Sequence, residues 1–84
     1  MPWSVQWTDQ AIRDLSSLDP PVARRVMAKL DQAAERPEHF FKRLVASDDR
    51  KLRIGDYRLL VLLQSETRTI LVERVDHRSR IYGR

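Results

Sequence analysis

The chain has 84 residues, 42% hydrophobic and 33% charged, with no cysteine and a formal net charge of +4. That length suits a single domain over 1–84, and the mixture is globular rather than the apolar-poor signature of a disordered chain. The composition excludes a disulfide framework and a thiolate metal site, and no uncharged apolar run approaches the roughly 20 residues that a bilayer span needs. The N-terminal stretch MPWSVQWTDQ lacks a basic region followed by an apolar core, so neither secretion nor a membrane location is expected, and the absence of cysteine fits a reducing cytoplasm.

The charge is unevenly placed. Residues 1–49 hold 7 Lys/Arg against 8 Asp/Glu, whereas residues 50–84 hold 9 against 4. A basic half on a small domain points to a polyanionic partner, nucleic acid first, although a solvated basic surface without a ligand has the same composition.

In chain order, Trp3, Val5 and Trp7 alternate with Ser4 and Gln6, the period of a short strand with one buried face. The two tryptophans are expected in the core rather than stacked on bases. Thr8 is placed to cap a helix carrying Ala11, Ile12, Leu15 and Leu18 at helical spacing. Asp19 before Pro20 and Pro21 starts a second helix, the carboxylate capping its free N–H groups and Pro37 ending it. Its core stripe is Val22, Ala23, Val26, Met27, Leu30, Ala33 and Ala34. The short link LDPP makes the two helices an antiparallel hairpin.

From Pro37 to Asp49 the pattern is irregular, with Phe40, Phe41 and Leu44 as anchors, and reads as a loop with a buried aromatic. Strands follow at about 50–54, 57–64 and 68–75, the last two joined by QSET, which makes an antiparallel meander. Leu59 to Leu63 is continuously apolar, so that strand is expected in the centre, buried on both faces. RIYG near the end offers one more short strand. The fold class is therefore α+β, an N-terminal strand and a two-helix hairpin packed on a curved antiparallel sheet.

Successive strand side chains point to opposite faces, so Lys51 and Arg53 share a face and Arg50 takes the other. Arg58 stands just beyond the Gly55 turn. The tail DHRSRIY adds His77, Arg78, Arg80 and Tyr82, and it meets the first cluster if the fourth strand runs back beside the third. His77 reads as a surface or turn residue and stays outside the catalytic set. Such a cationic group, without a carboxylate pair, a cysteine or a metal-ligand cluster, does not suit glycoside or peptide hydrolysis. It suits phosphate: guanidinium groups hold an RNA phosphate and stabilise the charge that builds in the transition state, while the RNA 2′-hydroxyl supplies the nucleophile. Nearby cations favour the phenolate form of a tyrosine, which makes Tyr82 a candidate for the proton step, although a packed aromatic is the ordinary role of a strand-end tyrosine. Arg74 and Arg80 read as RNA-backbone or solubilising residues.

The stretch LRIGDYR, followed further along by V-x-HR-x-x-x-Y, resembles the RelE/ParE superfamily of bacterial and archaeal toxins from toxin–antitoxin pairs, over nearly the whole chain. The RelE-like branch cleaves messenger RNA in the ribosomal A site, and the ParE-like branch acts on DNA gyrase and generally lacks the RelE catalytic set. By motif position the resemblance implies that Lys51 supports the phosphate and Arg58 stabilises the transition state. It implies that Arg78 acts as acid or charge stabiliser and Tyr82 as base for the 2′-hydroxyl, and it matches Arg53 to another basic residue of the same strand; the residues themselves offer Arg50, Arg53 and Arg80 as phosphate-binding groups. Two positions before Lys51, where RelE toxins of the best-known type carry a lysine, this chain has Asp49.

The resemblance thus implies a cytoplasmic, metal-independent endoribonuclease that uses no small-molecule cofactor. Its partners are the ribosome, mRNA and a cognate antitoxin that masks the basic face. Two alternatives stay open: a ParE-like gyrase inhibitor, and a degenerate antitoxin-binding or RNA-binding module.

Overall fold

A computed structural model describes residues 3–43 and 49–77. The element order is β1 (Ser4–Trp7), α1 (Asp9–Ser16), α2 (Pro20–Ala33), α3 (Pro37–Phe40), β2 (Lys42–Arg43), β3 (Asp49–Ile54), β4 (Tyr57–Gln64) and β5 (Thr69–His77). The strands form one sheet in the order β1-β5-β4-β3-β2. The meander β3-β4-β5 is antiparallel as expected, but β1 joins β5 in parallel, with Ser4 opposite Thr69 and Trp7 opposite Val72. The sheet is therefore mixed. The helix hairpin carries the chain across one face between β1 and the meander, as a crossover must.

Thr8 caps α1 through its side chain, accepting from Ala11 N at 3.0 Å, and its hydroxyl also donates to the Glu73 carbonyl at 3.0 Å. One residue thereby ends β1, starts α1 and ties both to β5. Asp19 differs from expectation, making no side-chain capping bond. Pro21 at the second position of α2 has no N–H, which removes one of the two donors that a cap side chain reaches, and Pro20 before it removes a further free donor of the first turn.

Val26, Leu30, Ala33 and Ala34 of the helix stripe are buried against Leu52, Ile54, Leu59, Val61, Ile70, Val72 and Val75 of the sheet. Trp3, Val5, Trp7, Leu15 and Leu18 pack around this core. Met27 and Ile12 do not join it, being 42% and 51% exposed. Each lies about 100° around its helix from a fully buried neighbour, Val26 and Ala11, and that turn carries it past the edge of the buried face. The segment read as a loop contains the one-turn helix α3 and the two-residue strand β2, and Phe41 is its buried aromatic. Leu44 lies outside the described residues.

β4 is the central strand, but only one of its faces is fully covered. Leu59 and Val61 point into the helix-covered core, whereas Leu60 and Leu62 are half-buried on the opposite face. β3 and β4 are joined by Gly55 and Asp56, with Gly55 at φ +59°. A two-residue hairpin turn with the left-handed residue first demands glycine there.

Candidate functional site

The uncovered sheet face presents alternate residues of β3 and β4. Leu52 and Ile54 of β3 face the core, so Asp49, Lys51 and Arg53 face away from it. The register sets Arg53 directly opposite Arg58 and Lys51 opposite Leu60. Side chains so paired stand about 4.5–5.5 Å apart at Cβ, and like charges in that position are destabilising. Arg58 has Asp76 as its register partner on its other side, which places a carboxylate next to the pair. Arg53 is further fixed by its Nε donating to the Gly55 carbonyl at 3.1 Å. Lys51, Arg53 and Arg58 together line a cavity of about 330 Å³ with Phe40 and Leu52. Its size falls within the range of small-ligand clefts.

Other expected site residues separate from this group. Arg50 lies on the opposite face of β3, where its Nη1 makes a long 3.5 Å contact to the Phe41 carbonyl. Arg74 is not a loose surface cation: its Nε donates to Asp14 at 2.9 Å and its Nη2 to Asp76 at 3.1 Å. Burial alone raises the pKa of Asp14, but the Val75 N–H, the Gln10 amide and the Arg74 guanidinium outweigh it and hold the carboxyl below its ordinary value. This network fastens α1 to β5. Arg78, Arg80 and Tyr82 lie outside the described residues. His77 at the end of β5 pairs with Tyr57 of β4, so the HR-x-x-x-Y stretch begins at the Gly55 end of the sheet.

Sequence reasoning missed one feature of the open face. A bulge between β4 and β5 leaves Glu73 as an extra residue, since Val72 pairs with Val61 and Arg74 with Leu60. Bulges re-aim side chains. The Glu73 carboxyl is hydrogen-bonded to Asp49 of β3, on the far side of β4. Burial first, and then the Asp49 hydrogen bond and charge, push the Glu73 pKa up to about 7. Folded Glu73 therefore keeps its proton to a higher pH than the unfolded chain does, at roughly 4.3. The stabilisation is complete below that lower value and is lost as pH rises through about 7. After allowance for solvent reaching the pair, the loss is about 1 kcal/mol, or roughly 4–8 °C in Tm. Thermal melts between pH 5 and 8 are expected to show this fall in the wild-type chain and to lose most of it in Glu73→Gln. Equal pH dependence in the two proteins contradicts the account of the pair.

A sequence model of the ParE toxin of the type II toxin–antitoxin system, parDE, matches residues 5–82. Toxin RelG of Mycobacterium tuberculosis is 35% identical over 88 residues, spanning 100% of both chains. The toxin–antitoxin complex RelBE2 from the same organism contains a chain 32% identical, with a TM-score of 0.83 and coverage of 94% on each side. The intact E. coli RelBE toxin–antitoxin complex shares the fold at 21% identity, with a TM-score of 0.79, covering 89% of this chain and 95% of that one. The class these matches define is the toxin of a type II toxin–antitoxin pair. The chain belongs to the RelE/ParE superfamily.

Proposed function

We propose that the chain is a ribosome-dependent mRNA endonuclease acting in the cytoplasm, with a cognate antitoxin as its inhibitor. The observation that carries this reading is the arginine pair Arg53–Arg58 with Lys51 beside one cavity, at the sheet end where the HR-x-x-x-Y stretch begins. Three cations around a cleft of this size fit a phosphodiester, and two of them offer the planar fork that binds phosphate oxygens in pairs. The resemblance to RelG and to RelE-containing complexes supports the RelE branch.

In this reading the RNA 2′-oxygen attacks the adjacent phosphorus in line. Tyr82 takes the 2′-hydroxyl proton, and the bond from phosphorus to the 5′-oxygen breaks. The 5′-oxygen leaves either with a proton that Arg78 supplies or as an alkoxide whose charge Arg78 stabilises until water protonates it. The products are a 2′,3′-cyclic phosphate and a 5′-hydroxyl. Lys51, Arg53 and Arg58 hold the phosphoryl oxygens as negative charge accumulates.

Primer extension on a defined mRNA translated in a purified system tests the assignment. Breaks at A-site codons are expected with the wild-type chain and none with Arg78→Ala or Tyr82→Phe, and circular dichroism is expected to give the wild-type spectrum for both variants. Full cleavage by both variants sinks the roles given to these residues. The family match to ParE favours a second reading, gyrase inhibition. Supercoiling blocked at low toxin concentration while ribosome-bound mRNA stays intact establishes that reading instead.

A further inference from the structure

A second basic groove adjoins the first. Arg25 and Lys29 are one turn apart on α2, and with Gln32, Arg53 and Gly55 they line a cavity of about 370 Å³. Gly55 makes the close approach possible: a Cβ there would stand 2.8 Å from Arg25 Nη2, so the Arg25 guanidinium lies directly over the turn. Arg53 belongs to both cavities, its guanidinium anchored on the Gly55 carbonyl. Lys29 provides a second link, its Nζ 5.8 Å from the centre of the Phe40 ring that lines the other cavity. Among the described residues no carboxylate lines either cavity.

We propose that the groove between α2 and the β3–β4 turn holds the phosphodiesters of the RNA strand that neighbour the one gripped by Lys51, Arg53 and Arg58. The inference rests on the RNA-cleaving reading above. The cations of the two cavities, shared at Arg53 and with no carboxylate in either lining, fit a ligand that repeats its negative charge along its length. A single anion needs one cavity, not two. An acidic peptide fits less well, because peptide grooves carry apolar pockets for anchor side chains and here the apolar lining is Ala28 and Ile54 alone. Arg25 and Lys29 bind and position the strand and take no part in bond making.

The test is equilibrium binding of the whole chain to a 2′-O-methyl trinucleotide and to a longer 2′-O-methyl oligonucleotide, neither of which can be cleaved, across a salt series. The wild-type chain is expected to bind the longer strand with the steeper salt dependence. Arg25→Gln with Lys29→Gln is expected to lower that slope by about 1.4, two phosphate contacts at roughly 0.7 each, and to leave trinucleotide binding unchanged. Arg24→Gln with Arg68→Gln removes the same charge outside the groove and is expected to leave the slope in place. The proposal is overturned if both doubles lower the slope equally, if neither does, or if the wild-type chain binds the two RNAs with the same slope. It is also overturned if the groove double weakens binding of a polyglutamate peptide while RNA binding is untouched. Cleavage is scored separately on ribosome-bound mRNA. Should that mRNA stay intact while the groove double alone loses slope, the cleavage reading fails and the groove stands as an RNA-binding surface.

Discussion

Arg58→Ala is expected to slow mRNA cleavage on ribosomes by about 10²–10³-fold, the usual loss when one preorganised donor to a developing charge is removed. Arg58 stands between Arg53 on β3 and Asp76 on β5, half-buried and held by strands on both sides. Its position is set before substrate arrives, so in the proposed reaction its donors need no reorganisation as charge grows on the phosphoryl group. Truncation also relieves the like-charge opposition with Arg53, which offsets part of the packing lost with the side-chain stem. Tm is therefore expected to move by only a few degrees while the single-turnover rate collapses. Arg58→Lys keeps the charge but loses the fork and is expected to fall between wild type and Arg58→Ala. A rate unchanged in Arg58→Ala removes this residue from the reaction.

Leu30→Ala is expected to cost about 2–5 kcal/mol, the range for emptying a fully buried leucine site. Leu30 is 1% exposed on α2 and belongs to the core cluster that includes Phe41, Leu59 and Val61. Chains of this length bury roughly 60% of the surface they expose when unfolded, so the total stability belongs near the lower end of about 5–15 kcal/mol. Losing 2–5 of that (about a third or more) leaves a substantial unfolded population near physiological temperature. Met27→Ala, one helix face away and 42% exposed, is expected to change stability by less than about 0.5 kcal/mol. Urea unfolding of the two variants checks both figures, and equal midpoints contradict the assignment of the α2 face.

What the sequence made legible was set by range. Thr8, the Pro20–Pro21 pair and the Gly55 turn act on residues within a few positions, and the elements they start or join stand where the local pattern put them. α3 and β2 have four residues and two, too few for a period to show. The parallel pairing of β1 with β5 depends on residues at opposite ends of the chain, and nothing local to SVQW encodes which strand it joins.

The candidate site divides in the same way. Alternation along β3 was enough to put Lys51 with Arg53 and to set Arg50 apart. Asp49, which replaces a lysine of the resembling family, could be seen as a departure, but its consequence could not. Its partner Glu73 comes within reach through a bulge on β5 with no sequence signature. Arg74 likewise looked like surface charge until α1 brought Asp14 beside it. Arg25 and Lys29 were legible as neighbours on one helix face, yet only the turn at Gly55 shows which part of the sheet they meet.

The most direct measurement uses ribosomes programmed with two messages identical except for one 2′-deoxy nucleotide, on the 5′ side of the expected break in the A-site codon. The wild-type chain is expected to cut the ordinary message at that codon, leaving a 2′,3′-cyclic phosphate, and to leave the deoxy message whole. Equal cutting of both messages contradicts attack by the 2′-hydroxyl. An ordinary message left whole, at a toxin concentration that stops gyrase supercoiling, contradicts the nuclease altogether.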